Sequence, residues 1–136
     1  MSANNRMLFV NLCVRDLQQS IAFFKGLGFE FNPNFTDENA ACLIIGEASF
    51  AMLLTEKFFR TFTKREPADT TRFSEVLLAV SCTGREEVKA LVQKAFELGA
   101  TPAMPPQDHG FMYVETFYDL DGHHWEFAWM DPAAAQ

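Results

Sequence analysis

The run Asp119-Leu120-Asp121-Gly122-His123-His124-Trp125-Glu126-Phe127 reads as a tight polar turn followed by the start of a strand. In that strand His124, Glu126 and Ala128 alternate with Trp125, Phe127 and Trp129. A period of two sends the two sets to opposite faces of a sheet, so an imidazole and a carboxylate share one face and three large aromatics share the other. The aromatic face is a core, and the polar face is a candidate site. A glutamate in mid-strand with apolar neighbours is costly to bury unless it is protonated, paired or metal-bound, which singles out Glu126.

The segments around this strand repeat a pattern. Glu75 to Ser81 reads as a strand, and Arg85 to Leu98 as a helix with Val88, Leu91, Val92 and Ala95 on one stripe and Gly99 as its stop. Strands follow at Ala100 to Ala103, Phe111 to Tyr118 and His123 to Met130. The first half has the same order: a strand from Met7 to Val14, then a helix capped by Asp16, carrying Leu17, Ile21, Phe24 and Leu27, and closed by Gly28. Three strands come next, Phe29 to Asn34, Ala40 to Ile45 and Phe50 to Leu54. Both helices end in Leu-Gly, at Leu27-Gly28 and Leu98-Gly99, the weak self-similarity of a duplicated unit.

The predicted fold is therefore α+β, two βαβββ modules in a single domain of 136 residues. Module one covers about 7–55, a linker 56–73, and module two about 74–130. The linker residues Phe58, Phe59 and Phe62 read as the packing of a short amphipathic turn, with a lid or a subunit contact as alternatives.

Composition removes several function classes. The net charge of -7 and the scattered basic residues argue against a nucleic-acid surface. No segment approaches the ~18 apolar residues of a membrane span, and Met1 to Arg6 lacks the apolar run of a signal peptide. Cys13, Cys42 and Cys82 are widely spaced among apolar neighbours and read as reduced thiols, which suits the cytoplasm. Ser20, Ser49, Ser74 and Ser81 stand in no nucleophile motif, and no phosphate loop or dinucleotide fingerprint is present. A divalent metal is the one cofactor left open.

Val14-Arg15-Asp16-Leu17 with Phe23-Phe24 and Leu27-Gly28, and Asp119-Leu120-Asp121-Gly122 with Glu126, resemble the vicinal oxygen chelate superfamily of glyoxalases, extradiol dioxygenases, and bleomycin and fosfomycin resistance proteins. The similarity runs from Leu8 to Trp129. Through Pro105 to Tyr113 and Leu120 to Glu126 the chain looks closest to bacterial proteins labelled predicted lactoylglutathione lyase. The resemblance implies curved sheets in an open barrel, a site on the concave side, a homodimer and a small-molecule ligand. It also implies metal-ligand positions on the first, fourth, fifth and eighth strands. These fall on Phe9, on or next to Leu53, on Glu75 and on Glu126, so two of the four carry no donor. One scaffold hosts isomerases, dioxygenases, transferases and binding proteins, so the fold does not name the reaction.

Candidate roles follow from residue chemistry beside this resemblance. His124 lies about 7 Å along the strand from Glu126 on the same face, so Glu75, His124 and Glu126 form a partial facial metal set. Without metal, Glu75 and Glu126 on one face would repel, raising one pKa and giving an acid beside a base. The alternative pairs each carboxylate with Arg, Lys or water near a rim. Asn11, Leu53, His109, Tyr113, Thr116 and His124 are candidate ligand contacts, although core hydrogen bonds would equally satisfy Asn11 and Tyr113. A symmetrical hairpin at Asp119 to Gly122 would set Glu115 opposite Glu126, whereas the superfamily pattern puts Thr116 there; the pattern is preferred. His123 faces the aromatic side and reads as structural. The expected function is lyase-, isomerase- or dioxygenase-like chemistry on an unknown substrate, with non-catalytic sequestration of a small molecule as the rival.

Overall fold

The computed structural model describes residues 6–134. The chain divides into two compact units, Met1–Pro67 and Ala68–Gln136. The first is a βαβββ module and the second a strand and helix followed by four strands, and the fold is α+β with two sheets.

In the first unit, β1 (Leu8–Val14) leads into α1 (Leu17–Gly26), β2 (Glu30–Asn32), a 3-10 turn at Pro33–Phe35, β3 (Ala40–Ile44), β4 (Ser49–Thr55) and the one-turn helix α2 (Glu56–Phe59). The Asp16 side chain accepts from the Gln19 N–H at 3.2 Å and caps α1. Gly28, at φ +100°, ends it as only glycine does without strain. The sheet order is β1-β4-β3-β2, with β1 and β4 parallel and the other pairs antiparallel. Registration puts Leu12, Ala41, Leu43, Ala51 and Leu53 on one face, all buried, while Phe23 and Phe24 are buried from α1, which packs on β3 and β4. Phe9, Asn11 and Met52 lie on the opposite face.

The second unit runs β5 (Leu77–Ser81), α3 (Arg85–Glu97), β6 (Thr101–Pro102), β7 (Gln107–Asp108), β8 (Met112–Tyr118) and β9 (His124–Met130). Its order is β5-β9-β8-β6, with β7 also on β8, and again the first strand is parallel to the last. Val88, Val92 and Ala95 of α3 are buried together with Phe117, Trp125 and Phe127, and the helix packs on β8 and β9. The Phe127 ring stacks at 5.7 Å from Phe117 and 6.3 Å from Trp125.

Three expectations change. The strand expected from Glu75 begins at Leu77, which leaves Glu75 ahead of the sheet. The strand expected at Ala100 to Ala103 is shorter, and a second short piece, β7, also pairs with β8. Of the expected linker, α2 packs on β1 and β4 of the first unit, whereas residues 68–73 belong to the second.

Candidate functional site

The turn at Asp119 sets the site strand. Asp119 Oδ1 accepts the N–H of Asp121 at 2.9 Å and of His123 at 3.0 Å, and Oδ2 accepts the Trp125 indole N–H at 2.9 Å. The loop between Asp119 and His123 is the three residues Leu120, Asp121 and Gly122, closed by Asp119 N–H donating to the His123 carbonyl at 3.0 Å. Gly122 takes φ +84°, the left-handed residue such a loop requires. Burial pushes the Asp119 carboxyl above its ordinary pKa, against the opposing pull of His123 and the hydrogen bonds it accepts.

From this loop the register follows. Thr116 stands opposite Glu126, and Tyr118 opposite His124, while across β5 Leu77 pairs with His124 and Ala79 with Glu126. Glu115 pairs with Phe127 on the other face, so Thr116 rather than Glu115 shares the face of Glu126. On this face His124 Nε2 lies 3.6 Å from Glu126 Oε1, with the His124 side chain 8% exposed and that of Glu126 34%. Among the described residues, His124 Nε2 is the buried side-chain nitrogen or oxygen that has no hydrogen-bond partner. The Tyr118 ring meets the His124 ring edge-on at 5.7 Å.

Other candidates are placed elsewhere. Glu75 Oε1 lies 3.2 Å from Nδ1 of His123, a side chain 2% exposed, so its carboxylate is engaged by the histidine that alternates away from His124. The expected trio of Glu75, His124 and Glu126 is not assembled: among the described residues no group of three His, Cys, Asp or Glu side chains is placed to hold a metal ion. The strand starts too late to carry Glu75 onto the face of Glu126. The Thr116 hydroxyl accepts from Met104 N–H at 2.8 Å and donates to the Met104 carbonyl at 3.2 Å, which satisfies it within the protein.

Tyr113 lies on the opposite face from Glu126. It donates to Glu115 at 2.6 Å, and Arg85 and Lys89 sit over its ring. Burial, followed by the Glu115 carboxylate, pushes its phenol up to about 12. His109 is exposed, with Nε2 3.3 Å from Gln107 Oε1. In the first unit Asn11 is exposed and donates to the Phe9 carbonyl at 3.3 Å. Leu53 is 0% exposed and pairs with Leu12 in the buried face, so Met52, the partner of Asn11, takes the surface position expected of Leu53.

Sequence reasoning did not find the chain of contacts from Glu75 through His123 and Asp119 to Trp125. An aspartate four residues before a histidine and six before a tryptophan, across a glycine turn, was its signal.

Residues 6–46 match the family described as bleomycin resistance protein-like N-terminal. A hypothetical protein from S. aureus is 31% identical, with 89% of this chain and 91% of that chain covered and a TM-score of 0.76. The fold is that of the glyoxalase/bleomycin resistance/dioxygenase proteins. A glyoxalase/bleomycin resistance protein/dioxygenase family enzyme from Burkholderia phytofirmans shares the fold at TM-score 0.77 and 19% identity, over 94% of this chain and 99% of that one. Fosfomycin resistance protein FosX from Mesorhizobium loti does so at TM-score 0.70 and 14% identity, over 98% of each. No curated protein matches the chain.

Metal-using proteins of the vicinal oxygen chelate superfamily, which the sequence resembles, need donors that this chain does not supply. Phe9 cannot ligate, the β4 position is filled by Leu53 or Met52, and Glu75 is engaged by His123. His124 and Glu126 alone fall short of the three or four donors of a catalytic zinc site. The residues do not fit the metal, and the chemistry of this face is that of a carboxylate, an imidazole and apolar neighbours.

Proposed function

We propose that this chain binds a small organic molecule on the β5–β9–β8 face of its second unit, with Glu126 and His124 as the polar contacts. The carrying observation is the Glu126 carboxylate, whose side chain is 34% exposed on that face, with His124 Nε2 3.6 Å from its Oε1. The bleomycin resistance-like match over residues 6–46 and the fold shared with a fosfomycin resistance protein support the reading. Sequestration is therefore placed ahead of metal-assisted lyase, isomerase or dioxygenase chemistry.

Catalysis is retained as a second reading on one observation. An imidazole beside a carboxylate is a proton-transfer couple, and a bound ligand reaching both would meet an acid and a base. In either case Asn11 and His109 are proposed as outer ligand contacts, on the strength of their exposure and solely local hydrogen bonds. The protein is proposed to act in the cytoplasm as a homodimer. The cytoplasm is supported by three cysteines held as thiols, and the dimer by the superfamily resemblance alone.

The test is protein-observed NMR with bleomycin, fosfomycin, glutathione and a panel of aromatic compounds. A ligand should shift amides of residues 114–118 and 124–128, and Glu126→Gln should abolish the shifts. Shifts confined to other segments for every ligand would overturn the site. Mass spectrometry of the recovered ligand separates the two readings, since sequestration returns it unchanged.

A further inference from the structure

We infer that the open edge of the first sheet binds a flat, uncharged aromatic carboxamide, its ring stacked on Phe9 and its amide paired with Asn11. The inference keeps Asn11 as a ligand contact and stands apart from the Glu126 face. The Phe9 and Phe50 rings stack at 4.9 Å between centroids and 15° between planes, and the two residues are partners in the parallel β1–β4 register. That separation matches the ~4.8 Å between paired strands, so the stack runs across the sheet. β1 comes first in the order β1-β4-β3-β2, and among the described residues no strand of that sheet lies beyond it. Phe50 is 9% exposed and Phe9 43%, so Phe50 covers one face of the Phe9 ring and the other looks past the edge. A third ring placed there continues the stack, gaining apolar burial and the offset geometry that aromatic pairs favour.

Asn11 supplies the polar half. It lies two residues on from Phe9 on the same face, about 7 Å along the strand, within reach of one ring and its substituent. Its amide nitrogen donates to the Phe9 carbonyl at 3.3 Å, and because a carbonyl only accepts, this bond fixes which end of the amide is nitrogen. Among the described residues it is the one hydrogen bond of an exposed side chain, which leaves Oδ1 and the second N–H for a ligand. A donor beside an acceptor is matched by a carboxamide, which presents one of each, and half matched by a carboxylate. Charge points the same way. The positions of β1, β4 and β3 on this face include no Lys, Arg, Asp or Glu, so a charged ligand finds no counter-ion there.

Benzamide, benzoate and cyclohexanecarboxamide separate the ring from the amide, and protein-observed NMR titration at millimolar concentration compares them. Benzamide should shift the amides of residues 8–12 and 49–53. Cyclohexanecarboxamide should bind roughly threefold to tenfold weaker, the worth of one aromatic pair, and benzoate should also be weaker. Phe9→Leu keeps an apolar side chain at an exposed position and should bring benzamide to the level of cyclohexanecarboxamide. Asn11→Ala should weaken benzamide roughly threefold to tenfold, the worth of one hydrogen bond, and decides if Phe9→Leu alters the spectrum throughout.

Cyclohexanecarboxamide or benzoate binding at these strands as tightly as benzamide overturns the inference, as does benzamide binding that neither substitution changes. Shifts in residues 8–12 that follow protein concentration instead of benzamide also overturn it, because a second copy then covers Phe9. Benzamide shifts confined to residues 114–118 and 124–128 overturn the stack and leave the Glu126 face standing. No shift from any of the three overturns the stack alone, and the larger ligands then judge the Glu126 face separately.

Discussion

Asp119 shows how one side chain places a site it does not belong to. Its two oxygens hold two backbone N–H groups and the buried Trp125 indole, so the turn, the strand start and the aromatic core meet at one carboxylate. Asp119→Ala should cost about 1–3 kcal/mol, the penalty for leaving the indole N–H unpaired, read as a lower urea midpoint at unchanged slope. A midpoint equal to wild type would show that water replaces the carboxylate.

Tyr113 carries a different prediction. Its phenol is pushed from 10.0 up to about 12, chiefly by burial, so the folded chain keeps it neutral where the unfolded chain ionises it. A raised pKa contributes stability that is whole below the unfolded value and is lost as pH rises through the folded one. Urea denaturation across pH 10 to about 12 should show the wild type losing stability that Tyr113→Phe retains. Parallel losses in both proteins would refute the assignment. Neither role was legible in residue type alone. Tyr113 was a candidate ligand contact until registration placed it on the α3 side against Glu115.

At the scale of elements, most strands and both long helices were legible, because apolar periodicity, the Asp16 cap and the Leu-Gly stops agree with one another. The register of β8 on β9 needed more. A four-residue turn would have faced Glu115 with Glu126, and the three-residue loop with Gly122 at φ +84° shifts the pairing by one, to Thr116. What the sequence hid was the segment before β5. There the Thr70 hydroxyl donates to the Asp121 carbonyl, and Glu75 reaches His123, so the chain straps the turn instead of extending the sheet.

Those contacts join residues some fifty positions apart, and no local pattern announces them. A Cβ at Gly122 would lie 2.7 Å from Thr70 Oγ1 and 2.9 Å from its carbonyl, in a backbone region alanine disfavours. Gly122→Ala should therefore destabilise by about 1–3 kcal/mol. Hydrogen exchange should accelerate across residues 69–75 more than in α1; uniform acceleration would deny the strap.

For the molecule as a whole, the duplicated module was readable and the chemistry was not, because a fold shared by metal enzymes and binding proteins is specified by its core, whereas the reaction depends on a few side chains. The four positions that resemblance marks for metal show the difference. Phe9 and Leu53 satisfy packing, Glu75 satisfies His123, and Glu126 alone keeps its face. A cation held only by the folded chain would add about 2.7 kcal/mol at roughly a hundred times its Kd, a shift that thermal unfolding detects readily. The donor set predicts no such shift: the midpoint should be the same after chelation and after adding zinc, nickel or manganese, and Glu126→Gln should not alter this indifference. A midpoint that falls on chelation, recovers with one of these ions and no longer responds in Glu126→Gln would establish a metal at this face, with Glu126 among its ligands.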